Sequence, residues 1–267
     1  MDYKNDKEQY DGQGSEYIKT TYEAYFAEHI EVYTMRKLFT EIKSKLSSNF
    51  TVLDLACGEG RFARILSEYT NGEVYGMDIS AYMIEIAKKK ESADPFNITY
   101  YVGDCFEDQS SVFENKTFDL VTASWLLNYA PNEETLKKAV QNIKQYLKPK
   151  GILILTIDNV EKNFPGAYKF TQNLGFVTIP ASENFEREKY EENEKIFFML
   201  IEPNDITKIK FKVDNYFHSM DTYESILLGE GFKNLEIKNM EMDPENFDDN
   251  YLPLLDYGGI IIKACNS

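Results

Sequence analysis

The segment Val52–Gly60 constrains the fold most, because it joins a short apolar run to a glycine turn. Thr51–Leu55 is predicted to be a β-strand, and Gly58 and Gly60 form the turn that follows it. Helical spacing begins at about residue 61 and continues to residue 69. Glycines in such a turn let the backbone approach a ligand closely. A strand, a turn and a helix in this order are typical of a parallel α/β sheet.

Strands and helices continue to alternate through residue 157, which predicts a parallel sheet with helices on both faces. The further strands are predicted at Glu73–Met77, Ile98–Val102, Phe118–Ala123 and Ile152–Ile157. Two last strands, over residues 235–240 and 259–264, are expected to pair as a hairpin at the sheet edge. The fold class is therefore a Rossmann-like, mostly parallel sheet.

The pattern changes at both ends of this core, and these changes predict the domain boundaries. Apolar residues three and four positions apart predict two helices over residues 15–47. Residues 158–219 contain an acidic stretch flanked by strand-like pieces, which predicts an insertion with two or more antiparallel strands. We assign an N-terminal helical cap to 1–50, the core to 51–157 and 220–267, and part of a substrate cap to 158–219.

Composition narrows the partners of the chain. The formal net charge is −16, and an acidic surface repels phosphate backbones, so no nucleic-acid partner is expected. The three cysteines lack metal-ligand spacing, no metal site is predicted, and an odd number of scattered thiols fits a reducing compartment. The N-terminus is polar, and no apolar run approaches the ~18 residues of a membrane span. We expect a cytoplasmic protein without membrane contact, either a monomer or a homodimer.

Three predicted strands end in acidic residues. Asp54 ends the first strand, Asp78 the second and Asp104 the third. Ligands of open parallel sheets bind beyond the carboxyl ends of the strands, so these carboxylates should face one crevice. Asp78, 20 residues after Gly58, could accept both hydrogen bonds of a ribose diol. The joint pattern predicts a cofactor that contains a nucleoside.

NAD is an alternative cofactor, because residues 58–63 satisfy the dinucleotide fingerprint in its G-x-G-x-x-A form. Two carboxylates argue against it. Asp54 lies beside the turn and Glu59 lies within it, where a pyrophosphate would meet like charge. The same carboxylates suit a cationic amino-acid group.

Across residues 10 to 264 the chain resembles the class I S-adenosylmethionine-dependent methyltransferases of the small-molecule type. The matching motifs are Val52–Gly60, Tyr75–Ser80, Val102–Cys105, Phe118–Ser124 and Tyr146–Gly151, the last with Lys150 in place of a usual glycine. The resemblance implies a seven-stranded sheet whose last strand is antiparallel. It also implies S-adenosylmethionine as the cofactor.

The resemblance further implies roles for individual residues. Asp78 would hold the ribose, Asp104 and the Cys105 backbone the adenine, and Ser124 would lie beside the sulfonium. Upstream, Tyr17 would close over the cofactor and Arg36 would bind the methionine carboxylate. The full predicted cofactor set is Tyr17, Arg36, Asp54, Ala56, Cys57, Gly58, Gly60, Asp78, Ile79, Met83, Asp104, Cys105, Phe106 and Ser124.

The acceptor pocket is expected among the N-terminal helices, the segment after strand four and the insertion. These segments are rich in aromatic residues, which suits an aromatic or apolar molecule: Tyr22, Tyr25, Phe26, Tyr33, Trp125, Tyr129, Phe164, Tyr168, Phe170, Phe185, Phe197, Phe198, Tyr216 and Phe217. Most are expected to pack the cap, and a few to face the pocket. Candidate catalytic residues are His218, His29 and Tyr129, with Asn128 and Tyr129 orienting the acceptor.

The sequence thus predicts methyl transfer to nitrogen or oxygen of a small molecule. Two alternatives remain. A protein or peptide methyltransferase would show an open acidic groove in place of a pocket, and a catalytically silent partner protein would keep the fold without the activity.

Overall fold

The computed structural model describes Tyr10, residues 25–159, Lys162, residues 164–182 and residues 184–267. The strands are β1 Val52–Leu55, β2 Val74–Asp78, β3 Ile98–Val102, β4 Phe118–Ser124, β5 Leu147–Asp158, β6 Phe176–Pro180, β7 Lys195–Glu202, β8 Asp205–Tyr216, β9 Phe232–Asn239 and β10 Gly259–Asn266. The helices are α1 Tyr33–Lys43, α2 Arg61–Ser67, α3 Ala81–Ala93, α4 Glu133–Tyr146, α5 Tyr168–Thr171, α6 Met220–Gly229 and α7 Pro253–Tyr257. A π-helical segment, Phe26–Val32, leads directly into α1.

The main sheet has seven strands in the order β3-β2-β1-β4-β5-β10-β9. Strands β1 to β5 are parallel, and β10 pairs antiparallel with both β5 and β9. The predicted Rossmann-like fold and its terminal antiparallel pair are therefore confirmed. Because the chain turns to opposite sides after β1 and β4, the crevice for a ligand lies at their carboxyl ends.

Successive side chains of each central strand point to opposite faces of the sheet and pack in two apolar layers. Leu53 of β1 packs in the layer that contains α4, represented by Val140 and Ile143. Val52 points to the opposite face and packs with α1 and α2, represented by Leu38. Both faces of the sheet are thus covered, which explains why the strands are nearly continuous apolar runs.

Local hydrogen bonds fix where helices begin beside the crevice. Ser80 caps α3, since its hydroxyl accepts from the Met83 amide. Asn132 caps α4 in the same way, accepting from the Thr135 amide at 2.9 Å. These caps hold the first turns of both helices at the edge where β2 and β4 end.

The insertion forms a second sheet of three antiparallel strands in the order β6-β7-β8. The sequence predicted strands close to β7 and β8, and β6 completes the sheet. In the core, β5 begins at Leu147, five residues before the predicted start, because Leu147 already pairs with Phe118 of β4; Lys150, within this part of the strand, has a φ of 66°. Between β9 and β10 the chain forms α7 instead of a tight hairpin turn.

Within the described residues, no helix combines the length and the apolar character needed to cross a membrane. The same part of the chain holds no group of three or more His, Cys, Asp or Glu side chains arranged for a metal ion.

Candidate cofactor crevice and acceptor cavity

The carboxylate of Asp78 ties the end of β2 to the turn after β1. One oxygen accepts from the Gly58 amide at 2.8 Å, and the other accepts from the Ser80 amide at 2.9 Å. Asp78 is 8% exposed, so it lies at the floor of the crevice. The structure therefore places Asp78 between the end of β2 and the glycine turn, and its ribose role stays a prediction.

The glycine turn needs backbone conformations that favour glycine. Gly58 has a φ of 54° and Gly60 a φ of 85°. A Cβ on Gly60 would lie 2.3 Å from the Tyr100 hydroxyl, whereas one on Gly58 would lie 3.4 Å from the Met83 methyl group. Met83 is buried beneath the turn, as its predicted place near the cofactor requires. Ala56 shares the positive φ, at 56°.

Asp54 lies beneath this turn instead of in the open crevice. It is 1% exposed, and one of its oxygens accepts from the Thr122 hydroxyl of β4 at 2.6 Å. Burial raises the pKa of Asp54 to about 7, and the Thr122 hydroxyl and the Ala63 amide partly oppose that shift. Asp54 thus links β1, β4 and the start of α2.

The loop after β3 contains the residues predicted to bind the adenine. Asp104 is half-buried, and its carboxylate accepts from the Phe106 amide at 2.9 Å. Asn142 of α4 donates to the Phe106 carbonyl at 3.0 Å, and the neighbouring Cys105 is buried. Ile79, half-buried, follows β2 on the same edge. The structure brings these predicted residues together with the glycine turn.

The end of β4 leads from the crevice towards the cap. The Ser124 hydroxyl lies 3.3 Å from that of Thr156 on β5. Trp125 follows with a φ of 61°, and its indole nitrogen donates to Glu31 at 2.6 Å. Glu31 is 5% exposed, and burial raises its pKa. The sequence reasoning missed Glu31, whose only signal was an acid on the aromatic face of the first helical segment.

The carboxylates of the crevice suit a cationic cofactor better than a pyrophosphate. Asp54, Asp78 and Glu59 lie close enough that the last two raise the pKa of Asp54. Glu59 is 6% exposed, and Lys90 lies 3.7 Å from its carboxylate. A pyrophosphate at this turn would face several carboxylates, whereas a sulfonium and an α-ammonium group would be attracted. The residues therefore fit S-adenosylmethionine.

A cavity of about 280 Å³ adjoins the end of β4. Its wall comes from the first helical segment, the chain after β4, the three-stranded sheet and α7. Five of the predicted cap aromatics line it, and the remaining described ones do not; the five are Tyr25, Phe26, Trp125, Tyr129 and Phe198. Further rings come from Tyr10, Phe176, Tyr251 and Tyr257.

Few polar groups interrupt this aromatic wall. The hydroxyls of Tyr10 and Tyr129 lie 2.7 Å apart. Asp158, the last residue of β5, accepts from the Asn128 amide group at 3.1 Å, and burial raises its pKa to about 7. Asn215 of β8 is 6% exposed, and its Oδ1 has no hydrogen-bond partner among the described residues.

The structure places the two histidines away from the cavity wall. His218 is fully buried, with Nε2 2.8 Å from the Ala130 carbonyl and Nδ1 3.2 Å from Glu192. With both ring nitrogens engaged, His218 has no nitrogen left for an acceptor molecule. His29 is half-buried, and its Nδ1 lies 3.9 Å from the Asp243 carboxylate. Of the three catalytic candidates, only Tyr129 lines the cavity.

Arg36 also lies apart from the crevice. Its guanidinium makes two hydrogen bonds to Glu68, at 2.6 Å and 3.1 Å, and both side chains are 41% exposed. Glu68 follows the far end of α2, roughly 12 Å along the helix from Gly60. The geometry gives Arg36 the role of a surface ion pair. Tyr17 lies outside the described residues.

Comparisons with known proteins agree with this geometry. Residues 52–151 match a family model described as a methyltransferase domain. The chain is 31% identical over 107 residues to a demethylmenaquinone methyltransferase of Symbiobacterium thermophilum, a match that covers 39% of this chain and 40% of that protein. The chain spans less than half the length of the first curated relatives that it matches.

Solved structures match more of the chain at lower identity. An S-adenosylmethionine-dependent methyltransferase from Clostridium acetobutylicum superposes with a TM-score of 0.59, at 18% identity over 88% of this chain and 90% of that one. The magnesium protoporphyrin IX methyltransferase of Synechocystis PCC 6803, solved with bound S-adenosylhomocysteine, gives a TM-score of 0.60 at 15% identity, covering both chains fully. These structural matches show that the chain has the fold of the proteins whose motifs it resembles.

Proposed function

We propose that this chain, which has the fold of the class I S-adenosylmethionine-dependent methyltransferases and carries a methyltransferase domain at residues 52–151, transfers a methyl group to a small molecule. S-adenosylmethionine, when bound, supplies a methyl group already activated on a sulfonium. The protein must therefore bind the cofactor, orient the acceptor and exclude water.

One observation carries the proposal: the cofactor crevice continues into a cavity of small-molecule size. Ser124 ends β4 at the crevice, and the side chain of the next residue, Trp125, lines the cavity of about 280 Å³. Small-molecule sites are concave, mostly apolar and interrupted by a few polar groups, as here. A protein or peptide substrate would instead call for an open acidic groove.

Different residues of the crevice would bind different parts of the cofactor. Asp78 and the amides of the glycine turn would hold the ribose and the methionine portion, and Asp104 with the Cys105 backbone the adenine. Ser124 would lie beside the sulfur, and the aromatic wall would keep water from the methyl group. Tyr129, which shares a hydroxyl contact with Tyr10, would orient the acceptor.

The names of similar proteins support a small acceptor. The relative from Symbiobacterium is named for demethylmenaquinone, and the structural neighbour from Synechocystis is named for magnesium protoporphyrin IX. Both are small molecules with extended apolar parts. From these names we infer only that the acceptor of this chain is a small molecule with an extended apolar part.

Titration calorimetry with S-adenosylhomocysteine and with NADH tests the cofactor assignment. We expect the wild type to bind S-adenosylhomocysteine and Asp78→Ala to bind it at least tenfold more weakly, because hydrogen bonds to a charged group contribute about 1.5–3 kcal/mol. Asp221→Ala, at the exposed start of α6, is the matched control. Tight NADH binding without S-adenosylhomocysteine binding would refute the proposal.

A further inference from the structure

Among the described residues that line the cavity, carboxyl groups outnumber cationic groups. Glu31 and Asp158 contribute two carboxyl groups, and Asn215 contributes a buried carbonyl oxygen without a partner among the described residues. Lys210 is the one Lys or Arg among the described residues that line the cavity, and its ammonium group lies 3.0 Å from Glu202. With that cation already paired, the wall favours a positively charged or hydrogen-donating guest.

The aromatic part of the wall favours the same kind of guest. Trp125, Tyr129 and Phe26 are among the nine aromatic residues that line the cavity. The faces of such rings attract ammonium groups electrostatically, with more energy when water is excluded. An apolar molecule that carries an amine would therefore satisfy both the rings and the carboxyl groups.

The position of Asp158 brings one of these carboxyl groups to the reacting end of the cavity. Ser124 of β4 pairs with Thr156 of β5, so Asp158 lies two residues, or roughly 7 Å, further along the neighbouring strand. The crevice for the cofactor lies at this same carboxyl edge. Asn128 donates to Oδ2 of Asp158, which fixes the carboxyl group and leaves Oδ1 for an acceptor molecule.

An oxygen acceptor fits this arrangement less well than a nitrogen acceptor. A phenol or alcohol develops negative charge on its oxygen as it becomes nucleophilic, and that charge would lie beside Asp158 and Glu31. An ammonium group instead begins with a favourable charge and becomes nucleophilic by losing a proton to a neighbouring carboxylate.

We infer that the methyl acceptor is the amine nitrogen of a partly apolar small molecule, and that the Asp158 carboxylate accepts the proton of that nitrogen. This inference rests on the proposed methyltransferase function. The nitrogen lone pair forms the new bond to the methyl carbon, and the carbon–sulfur bond breaks with its electron pair going to sulfur. The ammonium proton moves to Oδ1 of Asp158 before the attack, and solvent later removes it.

The surroundings of Asp158 suit this exchange. Burial raises its pKa to about 7, close to the value that serves a general base best at neutral pH. Tyr190 and Tyr223 lie near it, and the titratable groups that share the cavity are Glu31, Lys210 and the tyrosines Tyr10, Tyr25, Tyr129, Tyr251 and Tyr257. Glu31 is the other carboxyl group of this set, so Glu31→Gln serves as a second variant.

A matched pair of probes tests the inference: 2-phenylethylamine and 2-phenylethanol, which share the ring and differ in the charged nitrogen. Trp125 is the only tryptophan of the chain and lines the cavity, so its fluorescence reports binding. The protein is first saturated with S-adenosylhomocysteine at pH 8, where Asp158 is ionised and the amine is protonated. We expect the amine to bind at least tenfold more tightly than the alcohol.

Variants test whether the preference for the amine over the alcohol depends on Asp158. Asp158→Asn should reduce the preference at least tenfold while keeping S-adenosylhomocysteine binding, and Asp221→Asn should retain it. In the wild type the amine affinity should fall below pH 7, and Asp158→Asn should flatten that fall while Glu31→Gln retains it. An alcohol that binds as well as the amine, an amine that does not bind, or a preference that survives Asp158→Asn would overturn the inference. Failure to bind S-adenosylhomocysteine in the first step would instead refute the methyltransferase proposal.

Discussion

Gly60 offers the sharpest test of how the cofactor turn is built. Replacement by alanine meets two obstacles: a φ of 85° and a Tyr100 hydroxyl 2.3 Å from the new Cβ. The left-handed backbone costs about 1–2 kcal/mol for a residue with a Cβ. Overpacking in a close-packed region adds about 1–3 kcal/mol. We therefore expect Gly60→Ala to lower the free energy of unfolding by about 2–5 kcal/mol.

Gly58→Ala separates these two costs. Its φ of 54° is also positive, but its new Cβ would lie 3.4 Å from the Met83 methyl group, an ordinary contact. Gly58→Ala should therefore lower the free energy of unfolding only by the backbone contribution, about 1–2 kcal/mol. Urea unfolding followed by far-ultraviolet circular dichroism measures both variants under the same conditions.

A double variant examines the steric part directly. The Tyr100 hydroxyl is buried and has no hydrogen-bond partner among the described residues, so Tyr100→Phe alone should not destabilise the protein. In the Gly60→Ala background it should restore about 1 kcal/mol, and not the whole loss, because the ring carbon Cζ would still lie 2.8 Å from the Cβ. Equal losses for Gly58→Ala and Gly60→Ala, or no recovery in the double variant, would refute this reasoning.

Three further outcomes follow from the burial and pairing of single residues. Because burial raises the pKa of Asp158 from 3.8 to about 7, its contribution to stability is present below pH 4 and is lost as the pH rises through 7. Urea unfolding should therefore show that the free energy of unfolding of Asp158→Asn rises relative to that of the wild type by about 1–2 kcal/mol as the pH increases from 5 to 8. This value is reduced from the full effect of the pKa shift because the side chain faces the cavity. Arg36→Ala should lower the unfolding free energy by at most about 1 kcal/mol and leave the S-adenosylhomocysteine affinity within twofold by calorimetry; a tenfold loss would restore its predicted carboxylate role. His218→Ala should lower the unfolding free energy by about 1–3 kcal/mol in the same urea assay, since it leaves the buried Ala130 carbonyl unpaired and removes the contact with Glu192; unchanged stability would contradict a structural role.

The core of the fold could be predicted from local pattern because each central strand is a short apolar run followed by a turn and a helix. The sequence could also predict that Gly58 and Asp78 lie close together, since parallel strands bring their carboxyl ends to one edge; their cofactor role stays a prediction. Arg36 shows the limit of this approach. Its spacing from the glycine turn says nothing about which way the guanidinium points, and Glu68 binds it on the far side of α2.

The cavity was harder to predict because its wall joins parts of the chain that are distant in sequence. Glu31 and Trp125 are 94 positions apart, and their hydrogen bond depends on how the first helical segment packs over β4. Asn215 comes from the last strand of the insertion, whose position relative to the core has no periodic signal. Aromatic content indicated a cap, but only the packing shows which rings face inward.

Asp158 lies one residue beyond the predicted end of its strand, so the sequence did not indicate it as a site residue. The apolar run predicts a strand that ends at Ile157, and the domain boundary therefore assigned position 158 to the insertion. The structure extends β5 to Asp158, since Gly259 of β10 pairs with it.

With Asp158 included, an acidic residue lies at or near the end of four parallel strands. Asp78 and Asp158 are the last residues of β2 and β5, Asp54 is the last but one of β1, and Asp104 stands two residues after β3. What differs among these acids is their surroundings. Asp54 is sealed under the turn, and Asp78 is held by two backbone amides. Asp158 faces an aromatic cavity with one oxygen held by Asn128. The edge supplies several carboxylates, and their different surroundings are the basis on which we assign Asp54 to the fold and propose Asp78 for the cofactor and Asp158 for the acceptor.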